Sequence, residues 1–176
     1  VDRFSYEGEG WGICLDENGD RLVMSDGSER LTFRDPSTFA EVGSVEVTDA
    51  NGAPVDRLNE LECVDGRVWA NVWQTDTIVG IDPDTGDLQA TVDASGLLSE
   101  AERADADVLN GIADLGDGRL LLTGKLWPKA FVVRFAFLLS PWRGMRCHPP
   151  RAMDLLSLDL PGIRKIASGK VREIFD

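Results

Sequence analysis

The chain has 176 residues, 43% hydrophobic and 28% charged, with 31 acidic against 18 basic side chains. That is enough apolar content for a sizeable core, and a net charge of −13 gives an anionic surface that argues against nucleic acid as a partner. The longest apolar stretch, residues 130–142, is interrupted by Arg134 and falls well short of the roughly 20 residues that cross a bilayer, so no membrane span is expected.

Taken in chain order, the sequence opens at Val1 without an initiator Met and so reads as a piece of a longer chain, in which no leader would be visible. Gly8-Glu-Gly-Trp-Gly12 follows, where flanking glycines leave the backbone around Glu9 and Trp11 open to close approach by a ligand. Asp20-Arg-Leu-Val-Met24 then reads as a turn leading into a strand, and the same unit returns at Gly66-Arg-Val-Trp-Ala70 and Gly118-Arg-Leu-Leu-Leu122. The arginines of the three units are 46 and 52 residues apart. A second landmark, a strand ending in Asp-Pro, occurs at Phe33–Pro36 and Gly80–Pro83, each followed by a turn and a further strand, residues 42–47 and 88–92. Leu98 to Ala104 is the one helical turn expected, with Ser99 as cap and Glu102 three residues on in a capping-box arrangement.

Short strands joined by Asn/Asp/Gly turns, repeating with a period near 50, predict an all-β fold made of radial blades, a β-propeller. Residues 1–135 supply two full repeats and most of a third, an incomplete ring. Beyond Phe135 the composition changes: residues 1–135 carry 11 cations and 27 anions, whereas residues 136–176 carry 7 and 4. Residues 136–152 read as an irregular spacer and 153–176 as a foreign-looking tail. The cysteines, Cys14, Cys63 and Cys147, are odd in number and widely spaced, which indicates neither a disulfide framework nor a zinc site. His148 has no partners for a triad or a metal site.

Three further segments set polar or indole groups into otherwise ordinary strands: Arg57-Leu-Asn-Glu-Leu-Glu62, Asn71-Val-Trp-Gln-Thr-Asp76 and Thr123-Gly-Lys-Leu-Trp-Pro128. With Gly8–Gly12 and Asp107-Val-Leu-Asn-Gly-Ile112, they make residues 4–135 resemble the bacterial and plant glutamine cyclotransferases. That resemblance implies a five-bladed propeller, of which about three blades are present with the first two expected upstream. It also implies an acyltransferase that converts N-terminal glutamine of peptides or proteins to pyroglutamate with release of ammonia, without a cofactor or catalytic metal, in an exported or periplasmic protein. The tail, residues 153–176, resembles instead the amino terminus of phosphoribosylaminoimidazole-succinocarboxamide synthase, a purine-pathway ligase, with Lys170 at a phosphate-contacting position.

The resemblance implies that Trp11, Asn59, Trp73 and Lys125 line the substrate pocket, and that the carboxylate shuttling protons lies in a blade upstream. The chemistry needs a proton shuttle and pre-aimed donors, and Asn59 and Lys125 are the catalytic candidates, an amide and an ammonium. Trp11 and Trp73, with Glu9 and Glu60, are the substrate-binding candidates. Simple strand alternation puts Asn59 and Leu61 on one face, with Glu60 and Glu62 on the other. Trp69 and Trp127 read as blade packing, and Asn110 reads equally as a turn former or a site residue. Two other readings are a non-catalytic propeller remnant that binds peptide amino termini and, from the tail alone, a fragment of an ATP-dependent ligase.

Overall fold

The computed structural model describes residues 3–16 and 20–135, together with the strand backbone at 155–156, 165–169 and 172–175. Three antiparallel four-stranded sheets follow one another along the chain. The first comprises β1 (Gly12–Leu15), β2 (Leu22–Ser25), β3 (Arg30–Arg34) and β4 (Glu41–Glu46). The second comprises β5 (Leu58–Val64), β6 (Arg67–Val72), β7 (Thr77–Ile81) and β8 (Leu88–Asp93). The third is built from β9 (Leu109–Gly116), β10 (Arg119–Gly124), β11 (Phe131–Phe135) and the two-residue β12 (Leu155–Leu156), with β13 (Lys165–Gly169) and β14 (Arg172–Phe175) forming a separate hairpin. Each sheet is a meander in sequence order, so each is one blade, and the architecture is a partial β-propeller.

The repeated sequence landmarks fall at repeated places. Arg21, Arg67 and Arg119 sit at the entrance to the second strand of their blades, and Asp35-Pro36 and Asp82-Pro83 end the third. In both Asp-Pro turns the carboxylate accepts backbone N–H groups just downstream, Asp35 from Ser37 and Thr38 and Asp82 from Asp84 and Thr85. This is the local bonding that makes Asp a turn former. The predicted helix is α1 (Glu100–Arg103), shorter at both ends than its sequence pattern. Glu102 accepts from the backbone N–H of Ser99 at 2.9 Å and pairs with Lys129 of the next blade.

Two apolar cores lie between the three blades. Cys14, Val23, Leu31 and Phe33 of the first blade meet Leu58, Leu61, Val68, Ala70 and Val79 of the second. Trp69, Ile78 and Val92 of the second meet Leu109, Ile112, Leu122, Phe131 and Val133 of the third. Trp69 is 2% exposed and packs on Phe135 with ring centroids 4.6 Å apart, so it is blade packing as expected. The first strands of the blades, β1 and β5, run so close that a Cβ on Gly12 would meet the carbonyl oxygen of Asn59 at 2.3 Å.

The expectation that the cysteines form no disulfide is overturned for two of them: Cys14 of β1 and Cys63 of β5 are joined, with Cα atoms 5.5 Å apart. Their separation of 49 residues is one blade period, which is why a spacing that looked arbitrary sets them side by side on adjacent inner strands. Cys147, His148 and Lys170 lie outside the described residues.

Candidate functional site

The site is assembled at one end of the blades, where three loops converge. Beyond the last ladder pairs of β5 and β6, Trp73 donates its backbone N–H to Arg57 at 2.8 Å, and Arg57 donates to Gly27 of the first blade at 2.9 Å. The third blade repeats the first of these bonds, with Lys125 donating to Val108 at 2.9 Å, and adds one from Asp107 to Lys125 at 2.8 Å. Trp73 and Lys125 therefore occupy matching positions after the second strands of their blades. Arg57, Gln74 and Leu126, next to these residues, hold left-handed φ angles of 59°, 63° and 58°. Non-glycine residues are uncommon in that region, and these three are half of the six among the described residues that adopt it, the others being Phe39, Asp65 and Asp117.

A pocket of about 310 Å³ is lined by Gly10, Trp11, Asn59, Trp73, Asn110 and Lys125. All four residues that the resemblance placed in a pocket, Trp11, Asn59, Trp73 and Lys125, are thus brought together from three blades. The indoles of Trp11 and Trp73 meet edge to face, with centroids 5.4 Å apart and planes at 75°. Trp11 sits over Gly27, where a Cβ would fall 2.7 Å from its ring, so glycine makes room for the indole. Glu9 is exposed and accepts the Trp11 indole N–H at 3.0 Å, which fixes the ring rather than placing the carboxylate among the lining residues. Lys125 is exposed at the rim and Asn59 is 6% exposed at the floor.

The alternation expected for residues 57–62 fails at its start. Leu58 pairs with Val72 but Leu61 pairs with Ala70, so one extra residue is inserted at Asn59–Glu60. This bulge lets Leu58 and Leu61 both enter the core, at 0% and 2% exposure, while Asn59 turns to the pocket instead of sharing the face of Leu61. β9 repeats the device: Leu109 pairs with Gly124 and Ile112 with Leu122, leaving Asn110–Gly111 as the bulge. Gly111 has φ 147°, and a Cβ there would meet Thr123 Cγ2 at 2.6 Å, so the bulge needs glycine. Asn110, left open by the sequence, lines the pocket, and its signal was the Leu-Asn pair shared with the preceding blade.

Glu60 points across to the third blade, where its Oε2 accepts the Ile112 N–H at 2.7 Å, and it is not among the pocket-lining residues. Burial pushes its carboxyl up to about 7, against the lowering effect of the Ile112 hydrogen bond and with a smaller contribution from Glu62. Glu62 is also raised, by burial first. A carboxyl whose folded pKa exceeds its unfolded one is more protonated in the folded state, so its contribution to stability is lost as pH rises through about 7. Glu60→Gln, which keeps an oxygen for Ile112, is expected to flatten the fall in melting temperature between pH 5 and pH 8; an unchanged slope in thermal unfolding would assign that fall elsewhere. Asn71, fully buried in β6, accepts the Gly111 N–H at 2.9 Å and was not singled out by the sequence.

Comparison with known proteins gives the family. The sequence profile of the glutamine cyclotransferase family matches residues 1–135. A glutaminyl-peptide cyclotransferase from Arabidopsis thaliana is 44% identical over 131 residues, covering 72% of this chain and 40% of that protein. The crystal structure of Myxococcus xanthus glutaminyl cyclase superposes with a TM-score of 0.63 and 45% identity, over 73% of this chain and 56% of that one. Kluyveromyces lactis Hsv2, at 9% identity and a TM-score of 0.52, shares the fold alone, covering 86% of this chain and 47% of its own. The chain spans about two fifths to three fifths of the cyclotransferases that it matches. On the profile match and the identity together, this chain belongs to the glutamine cyclotransferase family.

Proposed function

We propose that this pocket binds the N-terminal glutamine of peptides or proteins and belongs to a glutaminyl-peptide cyclotransferase. The observation that carries the reading is the convergence of Trp11, Asn59, Trp73 and Lys125, from three blades and four separate motifs, on one pocket. In the reaction the α-amine attacks the γ-carbonyl carbon, the C–N bond to the amide nitrogen breaks, and pyroglutamate and ammonia leave. The γ-oxygen gains negative charge in the tetrahedral intermediate, and the Lys125 ammonium and the Asn59 amide N–H are the donors suited to hold it. Trp11 and Trp73 form an edge-to-face wall against the aliphatic part of the side chain. Proton transfer needs a carboxylate besides the six lining residues, which agrees with a shuttle in another blade, as the resemblance implies.

The disulfide between Cys14 and Cys63 supports an exported protein, since cytosolic thiols are kept reduced. Ammonia release from a Gln-initiated dipeptide, assayed with the protein at its full genomic length, tests the function. Release that stops on N-acetylation of the dipeptide is the expected result, because the acetyl group removes the nucleophile; no release from the free dipeptide would sink the reading and favour a binding remnant.

A further inference from the structure

The indole of Trp11 reaches the pocket with its polar atom already engaged. Its ring N–H donates to Glu9 Oε2 at 3.0 Å, and its backbone N–H donates to Ser25 at 2.9 Å. A Cβ on Gly27 would stand 2.7, 2.7 and 2.8 Å from three adjacent atoms of the six-membered ring, so the turn between β2 and β3 lies against that ring. What Trp11 offers a ligand is therefore π surface and not a donor. Glu9 is exposed and does not line the pocket, yet its charge stands at the N–H edge of an indole that does. Hydrogen-bonded groups polarise one another, so an indole that donates to a carboxylate carries more electron density on its faces, and indole is already the aromatic that holds cations best.

The ligand brings the cation. An α-amino group titrates at about 7.7–8.0, so a peptide amino terminus arrives at neutral pH largely as an ammonium. The six lining residues include no carboxylate to meet it, and one of them, Lys125, repels it. We propose, resting on the cyclotransferase reading, that the face of Trp11 receives the α-ammonium of the N-terminal glutamine, with Glu9 as the positioning residue that holds the ring and strengthens its attraction for that charge. With the indole between them, carboxylate and ammonium form no ion pair. The attraction turns the amino terminus away from Lys125, and it is weak enough for the amine to pass its proton to the shuttle carboxylate before it attacks.

The test measures binding at pH 6, where the amine is protonated, in the protein at its full genomic length. One ligand is a dipeptide that begins with methionine sulfone, which keeps the α-ammonium and has no side-chain acyl carbon to cyclise; the other is its deamino counterpart. The unaltered protein is expected to bind the charged ligand about tenfold more tightly. Glu9→Gln keeps an oxygen for the indole N–H and loses the charge, so the preference should fall to about twofold while affinity for the neutral ligand holds. In a Trp11→Phe background, which has no N–H to donate, Glu9→Gln should leave the preference unchanged. Fluorotryptophan in place of tryptophan, with a less negative ring face, should lower the preference as well, and it decides if Trp11→Phe does not fold. The inference is overturned, while cyclisation by the unaltered protein still stands, by no preference for the charged ligand, by an equal loss for both ligands in Glu9→Gln, by an equal effect of Glu9→Gln in the two backgrounds, or by indifference to fluorotryptophan. Absence of ammonia release from a Gln-initiated dipeptide overturns it together with the function on which it rests.

Discussion

Replacing Lys125 with alanine is expected to lower kcat for cyclisation roughly 10²–10³-fold, the usual loss when one donor to a developing oxyanion is removed. Lys125 is the one cation among the six residues lining the pocket, and it stands at the rim on a backbone held at both its N–H and its C=O. The fixed main chain means that the substitution removes the ammonium without releasing the loop. Stability should therefore change little, and the loss should appear in kcat more than in KM, because the charge that the ammonium meets exists only after the amine has attacked. Lys125→Arg is expected to restore only part of the rate, since a planar fork replaces a compact, rotatable ammonium. Steady-state kinetics of both variants beside a melting curve provide the check. A kcat within about threefold of the unaltered protein in Lys125→Ala would remove Lys125 from the chemistry.

Breaking the disulfide is the largest effect expected on stability. Cys14 and Cys63 tie the first strands of two blades together across a separation of 49 residues, and a bridge closing a loop of that length contributes about 2–4 kcal/mol, mainly by restricting the unfolded chain. Cys14→Ser with Cys63→Ser is expected to lower the melting temperature by roughly 5–15 °C. Reductant should lower the unaltered protein to the same value and leave the double variant unmoved. The bridge lies on the strand that carries Asn59, four positions before Cys63, so its loss should also weaken substrate binding beyond what global unfolding accounts for. Indifference of the melting temperature to reductant would show that the packed interface alone holds the two strands.

Much of this arrangement was legible in the sequence because a propeller repeats itself. Three turn-strand units led by Arg21, Arg67 and Arg119 mark the blades, and the family resemblance, carried by an indole or an ammonium set into an otherwise ordinary strand, marks Trp73 and Lys125. What escaped was whatever depends on register between strands. The period-2 rule is blind to one inserted residue, so Asn59 was set on the face of Leu61 although the bulge turns it away. The same blindness left Asn110 undecided, although it sits in the matching bulge one blade later. Asn71 opens one of the unusual segments yet has no role legible there, because a polar residue in a strand declares its purpose only when the neighbouring blade's backbone is seen against it. The disulfide is hidden for a related reason. A pairing between repeats follows the period of the fold, and a separation of 49 residues has nothing in common with the short motifs of compact disulfide or metal sites.

The bulges and the blade interfaces together make the pocket an aperture. Trp11 rides on the first sheet, Asn59 and Trp73 on the second, and Asn110 and Lys125 on the third, while two close-packed apolar seams fix the angles between those sheets. Interiors packed to crystal density pass small displacements on instead of absorbing them. The width of the opening is therefore set by side chains that never meet a ligand, among them Val68 and Val79 in one seam and Ile78 and Leu122 in the other. Selection for a wider or narrower ligand can act on the seams, tilting one wall against the next while every residue that lines the pocket stays the same.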